Sequence, residues 1–207
     1  MIRQDRISQT LIILSIAITV YLFTYESSAL VIFPAILLIA GVSMEVFLER
    51  KKVEMVDDGT EFKTLKEIGF YTVLALFGIF LTGYAIQKLP MSISPLTTSP
   101  VNAMLYSVLI GVSEEQFFRG FLTDWLLTHM SNVALALISG AGIFTAYHLA
   151  RYSTSVNALA YVFAGGLILG FVAYRSRRIS PTMLAHAGNN AASFLQSIVM
   201  VVRQIIR

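Results

Sequence analysis

The sequence predicts an all-α fold, a polytopic membrane helix bundle, from three observations. Hydrophobic residues make up 56% of the 207 residues, and charged residues only 13%. Soluble domains are typically about 45–50% apolar and about 25% charged. About seven apolar runs approach the roughly 20 residues that a membrane-spanning helix needs. We therefore expect an integral, multi-pass protein of a cell membrane or of an endoplasmic-reticulum-type membrane.

The apolar runs follow one another along the whole chain. In order they cover residues 9–25, 29–47, 68–86, 101–127, 132–150, 156–174 and 181–202. The first is expected to be a retained helix, because no small-x-small cleavage site follows it. Two connections are long: 49–67 is polar, and 88–100 holds three prolines that oppose helix formation. The other connections are short, so the fourth to seventh helices are expected to be antiparallel neighbours.

Lysine and arginine residues predict the orientation of the bundle. If the N-terminus is inside, ten of the 15 lie on inner segments, namely Arg3, Arg6, Arg50, Lys51, Lys52, Lys63, Lys66, Arg175, Arg177 and Arg178. Four lie on outer segments, namely Lys88, Arg151, Arg203 and Arg207, and Arg119 lies within a helix. Inner loops carry the excess of positive charge, so the N-terminus is expected to be cytoplasmic.

Composition also bounds the organisation and the partners. The chain has no cysteine, which excludes disulfides, thiol nucleophiles and cysteine-based metal sites. The net charge of +3 is small and the basic residues lie in connections, so the expected partner is the lipid bilayer and not nucleic acid. At this length we expect a single membrane domain over 1–207. Its N-terminal helices and polar connectors would occupy 1–99, and its core 100–195.

The most informative polar motif lies within the fourth run. Glu114, Glu115 and Arg119 are surrounded there by apolar residues. Ionisable groups at membrane depth are costly, so they are rare and usually functional. Residues four apart share a helix face, so Arg119 is expected to pair with Glu115 and leave Glu114 for chemistry. The alternative is that all three only hold helices together, a role for which two adjacent carboxylates are a poor choice.

Two further motifs lie in the fifth and seventh runs. Phe144 and His148 share one helix face, and His186 and Asn190 share another. Each motif alone is weak, because a histidine near a helix end is commonly interfacial and a His–Asn face can be an interhelical hydrogen-bond patch. Together with Glu114 they supply a carboxylate, two imidazoles and an amide. Such a set can activate a water and stabilise an oxyanion, the two needs of peptide hydrolysis.

In order and spacing, the three motifs resemble those of the CAAX protease and bacteriocin-processing family (CPBP, or Abi), which includes the Ras-converting CAAX endopeptidases. They read Glu114-Glu115-x-x-x-Arg119, Phe144-x-x-x-His148 and His186-x-x-x-Asn190. The resemblance covers about residues 100–195. It implies an intramembrane endopeptidase that acts on a membrane-associated peptide or protein, of which a prenylated CAAX-type substrate is one form.

Residue roles follow from the same resemblance. Glu114 would be the general base, and His148 would help to hold the attacking water. His186 and Asn190 would donate hydrogen bonds to the oxyanion of the tetrahedral intermediate. The second glutamate and the arginine of the first motif would support the site.

The resemblance leaves metal dependence open. The family has been classed with metalloproteases, and a metal-free glutamate mechanism has also been proposed for it. Zinc could be bound by Glu114, His148 and His186, with water as the fourth ligand. The sequence contains no His-Glu-x-x-His motif. We favour the scheme without a cofactor, and zinc is the alternative.

Two other classes of function compete with proteolysis. Buried Glu, Arg and His also form proton relays, so a proton- or ion-coupled membrane transporter is one alternative. Such transporters commonly show related halves with broken helices, and the sequence shows neither. A non-catalytic protein that binds a peptide or confers immunity is the other alternative, and the complete motif set argues against it.

Two local predictions concern helix ends. Glu45, near the end of the second run, is expected to reach the membrane interface. Ser180 is expected to cap the N-terminus of the seventh helix, with Pro181 at its first helical position.

The depth of the polar residues presents a difficulty. At about 1.5 Å per residue, Glu114 lies roughly 22 Å from the turn at His129. His186 lies only about 9 Å from Ser180, in a turn expected on the same membrane side. The two levels would agree if the fourth and fifth helices project into the cytoplasm beyond Asp124 and Trp125.

Overall fold

The computed structural model describes residues 2, 4–25, 28–47, 61–87, 99–152 and 155–192, and the regular elements among them are helical. They are α1 (Arg6–Tyr25), α2 (Ser28–Phe47), α3 (Glu61–Gln87), α4 (Pro100–Glu115), α5 (Asp124–His129), α6 (Val133–Tyr147), α7 (Leu149–Tyr152) and α8 (Val156–Ser176). A π-helical stretch, Gln116–Thr123, joins α4 to α5 and is called the π segment below. A ninth helix, α9, begins at residue 180 and is described as far as residue 192.

Several of these helices are suited to a bilayer. By length and composition, three could cross a membrane: Arg6–Tyr25, Lys63–Ile86 and Val156–Ser176. Val31–Val46 and Val133–Tyr147 are shorter and apolar. Large apolar side chains such as Val20, Phe70 and Phe77 are exposed on the outside, where lipid would cover them. The chain is therefore an integral membrane helix bundle, as expected. The number of spans stays a prediction, since 48–60, 88–98 and 193–202 lie outside the described residues.

Local capping sets the starts of the two central helices. The side chain of Asn132 accepts a hydrogen bond from the Leu135 N–H at 3.1 Å at the start of α6. The hydroxyl of Ser155 accepts one from the Ala158 N–H at 3.2 Å at the start of α8. Each cap satisfies one of the N–H groups that a helix start leaves unpaired.

The start of α9 differs from the prediction by one residue. The carbonyl of Ile179 accepts the helical hydrogen bond from the Met183 N–H at 3.1 Å, so Ile179 is the capping residue. The hydroxyl of Ser180 instead donates to Asp5 Oδ2 at 2.6 Å. The predicted Ser180 cap is wrong because a partner from the distant N-terminal segment engages that hydroxyl. Pro181 still lies in the first turn, where its missing N–H has no cost.

The depth difficulty is resolved by the position of Ile179. A Cβ added at Gly120 would lie 2.9 Å from Ile179 Cδ1, so the two residues are at one level. From that level, His186 is about 10 Å along α9 and Glu114 about 9 Å back along the π segment and α4. The two side chains can therefore meet. α5 continues the chain past Gly120, and the expectation that this part projects into the cytoplasm stays a prediction.

Polar contacts close this end of the bundle. The Ile2 N–H donates to Asp124 Oδ1, and Asp5 accepts from Ser180, so the N-terminal segment ties the end of the π segment to the start of α9. Glu45 lies at the same end and is only 5% exposed. Its carboxylate has partners inside the bundle, and its expected position at the membrane interface stays a prediction. The cytoplasmic location of this end stays a prediction.

Close packing of α4 on α9 leads to a stability prediction. A Cβ added at Gly111 would lie 2.7 Å from the backbone N of Ala187. Gly111→Ala is therefore expected to push α9 away, and to lower the free energy of unfolding by about 1–3 kcal/mol. Thermal unfolding in one detergent measures this. Gly142→Ala on α6 is the control, because its added Cβ meets nothing within 4 Å. A Gly111→Ala protein as stable as the control would contradict the packing.

Candidate active site

Glu115 lies at the centre of a buried polar cluster. It is fully buried at the end of α4. Its Oε1 accepts a hydrogen bond from Arg119 Nη1 at 2.8 Å and another from His186 Nδ1 at 2.8 Å. The predicted pair with Arg119 is present. The contact with His186, 71 positions away, joins the first motif directly to the third.

The guanidinium of Arg119 is enclosed by protein. The residue is 2% exposed, and its Nη2 donates to the Gly166 carbonyl at 3.3 Å. Its Cζ lies 4.3 Å from the centre of the Phe144 ring, in cation–π geometry. A buried charge is tolerated when it is paired and hydrogen-bonded in this way. Arg119 therefore fixes Glu115 on one side and packs against the second motif on the other.

The two histidines are both anchored through Nδ1. The Nδ1 of His148 lies 2.9 Å from the Phe144 carbonyl, and that of His186 lies 2.8 Å from Glu115 Oε1. A carbonyl and a carboxylate accept, so both Nδ1 atoms donate. Each ring therefore turns its Nε2 toward Glu114. The Nε2 atoms lie 3.9 Å (His148) and 3.7 Å (His186) from Glu114 Oε2.

Glu114 presents its two carboxylate oxygens to different neighbours. The hydroxyl of Tyr147 donates to Oε1 at 3.3 Å. Oε2 is buried and, among the described residues, has no direct hydrogen-bond partner. The two imidazole Nε2 atoms flank it at distances beyond a direct hydrogen bond, which a single bridging water can span. The hydrogen bond to Oε1 thus orients the carboxylate of Glu114, and Oε2 is left available to interact with a water or a substrate.

Two cavities meet at His148. The larger, about 330 Å³, reaches Glu114 and Tyr147; its walls are mostly apolar or aromatic (Phe33, Leu37, Tyr106 and Ile110), and Arg151 also lines it. The smaller, about 80 Å³, is lined by both histidines, by Phe144 and by Asn190. The first cavity reaches Glu114, and the second brings Asn190 beside the imidazoles. All six residues singled out in the sequence therefore lie in or directly beside one site.

Comparison with known proteins agrees with this arrangement. Residues 96–192 match the family of type II CAAX prenyl endopeptidase Rce1-like proteins. Over this segment, which is just under half of the chain, the sequence is similar to the CAAX proteases. The match extends over all three motifs and leaves α1 to α3 outside it. No curated protein and no solved structure is significantly similar to the chain. This similarity supports a protease of the same general kind.

Tyr147 is a member of the candidate site that the sequence analysis missed. It precedes His148 directly, and its hydroxyl contacts Glu114 from α6. The missed signal is a tyrosine within an apolar membrane helix, beside a motif histidine. A buried hydroxyl in such a place needs a polar partner.

The Tyr147 contact leads to an activity prediction. Tyr147→Phe keeps the ring but leaves Glu114 Oε1 without this donor. A hydrogen bond to a charged group is worth about 1.5–3 kcal/mol, so kcat is expected to fall about tenfold or more, with little change in thermal stability. Steady-state cleavage kinetics measure the effect. The control is Tyr84→Phe, because Tyr84 is exposed on α3. Equal kcat values for the two variants would show that the hydroxyl does not act on Glu114.

Zinc stays the alternative to the metal-free scheme at this site. The proposed zinc ligands Glu114, His148 and His186 are close together, although within the described ranges no three or more His, Asp or Glu side chains are placed so that they could hold one ion. Each imidazole donates through Nδ1 and keeps its Nε2 available, an arrangement that is also typical of histidines that bind metal. We derive no chemical step through zinc.

Proposed function

We propose that this protein is an intramembrane endopeptidase that hydrolyses a peptide bond of a membrane-associated, prenylated CAAX-type substrate. One observation carries the proposal: the buried Oε2 of Glu114 faces the Nε2 atoms of His148 and His186. A carboxylate between two imidazoles can hold a water and take its proton. The water-filled site would be enclosed by apolar helices, as proteolysis within a membrane requires.

In the proposed reaction Glu114 acts first as a base and then as an acid. Its Oε2 takes a proton from a water held by the Nε2 of His148. The water oxygen forms a bond to the carbonyl carbon of the scissile peptide, which gives a tetrahedral intermediate. Glu114 then returns the proton to the leaving nitrogen as the C–N bond breaks. The products are a carboxylic acid and an amine, and the enzyme is restored.

The oxyanion of the intermediate needs donors. His186 can donate one hydrogen bond from Nε2 when both of its ring nitrogens carry a proton. The carboxylate of Glu115, which accepts from Nδ1, would stabilise that positively charged ring. Asn190 can supply a second from the smaller cavity. Donors fixed before the reaction stabilise the developing charge without reorganisation. Arg119 and Glu115 thus act on the reaction through His186.

The larger cavity supports an apolar substrate. Its walls carry Phe33, Leu37 and Ile110, and it leads to Glu114. Burial of apolar groups contributes about 25 cal/mol per Å², so an isoprenoid or an apolar side chain would gain affinity there. This favours a prenylated peptide over a polar one.

The proposal is tested by cleavage of a defined probe by the purified protein in lipid nanodiscs. The probe is an internally quenched peptide that ends in a CAAX motif with a farnesylated cysteine, and the same peptide without the farnesyl group is its control. We expect cleavage of the farnesylated peptide at one bond, loss of that cleavage in His148→Ala, and retention in His129→Ala. Equal cleavage by wild type and His148→Ala would overturn the proposal.

A chelator arm tests the choice between the two mechanisms. Dipicolinate is added to the same assay, followed by excess zinc. The metal-free scheme predicts unchanged kcat throughout. Loss of activity that zinc restores would replace this scheme by the zinc alternative and would leave the peptidase proposal intact.

A further inference from the structure

A second buried polar cluster lies on the other side of the helix that carries the glutamates. We call Gln4, Glu45 and Gln116 the carboxylate–amide cluster. Glu45 Oε2 accepts a hydrogen bond from Gln116 Nε2 at 2.7 Å and another from Gln4 Nε2. Gln116 is fully buried and Glu45 is 5% exposed. The reaction proposed above uses none of these three side chains.

The cluster holds the start of the π segment against α2. Gln116 directly follows Glu115 and is the first residue of that segment. One turn before Glu45 on the same face of α2, a Cβ added at Gly41 would lie 3.0 Å from the backbone N of Phe117. The two backbones are therefore in close contact there. Glu45 adds the polar attachment at the level where α4 changes to π-helical geometry.

Rotation of α4 about its axis determines where the glutamates point. Adjacent helical residues diverge by about 100°, so fixing Gln116 toward α2 fixes the directions of Glu115 and Glu114 as well. Those directions bring Glu115 to His186 and Glu114 to His148. π-helical stretches are rare in proteins, and those that occur are often found at functional sites. A change from α-helical to π-helical geometry alters the directions in which the following side chains point. A contact that sets this geometry therefore acts on the site.

We infer that Glu45 is a positioning residue: its hydrogen bond to Gln116 sets the rotation of the helix that presents Glu114 and Glu115 to the two histidines. The inference rests on the proposed peptidase function. It also extends the functional region to α2, outside residues 96–192.

A charge-swap series tests the inference with the farnesylated probe. Glu45→Gln replaces the charged acceptor shared by Gln116 and Gln4 with a neutral amide oxygen, whose hydrogen bonds are about half as strong. The expected result is a fall in kcat of about tenfold or more with KM nearly unchanged. The double variant Glu45→Gln/Gln116→Glu restores one carboxylate and one amide across the same contact, and is expected to regain most of the lost kcat. Glu67→Gln, at an exposed position of α3, is the matched control.

An activity-independent readout keeps the inference separate from the proposed function. Amide hydrogen exchange of residues 114–123 is expected to be faster in Glu45→Gln than in wild type, and to return to the wild-type rate in the double variant. If no variant cleaves the probe, wild type included, the proposed function fails and the exchange rates alone decide the inference. Exchange and kcat in Glu45→Gln equal to those of Glu67→Gln would overturn it. So would a folded double variant that remains as impaired as Glu45→Gln.

Discussion

Glu114→Gln is expected to remove nearly all cleavage of the farnesylated probe, with kcat lowered by about 10²–10⁴-fold. Glutamine preserves the size of the side chain and an oxygen that can accept from Tyr147. It cannot take a proton from water, so only the base is lost. Steady-state kinetics in nanodiscs measure kcat and KM. KM is expected to change little, because Glu114 acts on the water and not on substrate binding.

The interpretation of Glu114→Gln depends on intact folding. The variant is expected to unfold at nearly the wild-type temperature. Removal of a carboxylate whose buried Oε2 has no direct partner among the described residues can even stabilise the protein. Glu67→Gln controls for the general effect of replacing a glutamate. A Glu114→Gln protein that retains more than about a tenth of wild-type kcat would exclude Glu114 as the general base.

Arg119→Met is expected to have the largest effect on stability. It would leave the fully buried Glu115 without its guanidinium partner. Removing one partner of a buried ion pair typically costs about 3–5 kcal/mol, because the remaining charge is not compensated. Chemical or thermal unfolding in detergent measures the loss. Cleavage is expected to fall too, because Glu115 also anchors His186.

A double variant separates charge compensation from packing. In Glu115→Gln/Arg119→Met the buried charge is gone, so much of the stability lost in Arg119→Met should return. Cleavage should not return, since His186 has lost its carboxylate partner. If the double variant is as unstable as Arg119→Met, the cost comes from lost packing against Phe144 and not from the unpaired charge.

The sequence predicts those features of the site that depend on local geometry. Glu115 and Arg119 are four residues apart, so a helix alone places them together, and the pair is present. Membrane helices were predicted from composition and from the length of the apolar runs, because a helix that crosses the bilayer needs about 20 mostly apolar residues. The direction of Glu114 away from this pair follows from the same helical geometry.

Contacts between distant helices could not be predicted in this way. His186 bonds Glu115 from 71 positions away, and the rotation of α9 that permits it depends on close packing at Gly111. Glu45 was placed at the membrane interface because its neighbours in sequence suggest a helix end. Its burial depends on Gln116 and on the N-terminal segment, which an apolar run does not reveal.

The π segment was also invisible in the sequence. Gln116–Thr123 has no proline to mark a change in helix type, and its only glycine, Gly120, packs against Ile179. Its geometry depends on α2 and the start of α9, and therefore on tertiary structure. Gly120 of the same segment lies at the level of Ile179, and this relates the depth of Glu114 to that of His186.

The central claim, that Glu114 and His186 converge on one site, can be tested without a substrate. The chain has no cysteine, so Glu114→Cys/His186→Cys introduces the sole pair of thiols. A short bifunctional thiol reagent is expected to link them within one chain, as detected by mass spectrometry of the digested protein. Glu114→Cys/His129→Cys is the control, because His129 is exposed at the far end of α5. The account predicts cross-linking of the first pair only, and equal, low cross-linking of both pairs in folded protein would contradict it.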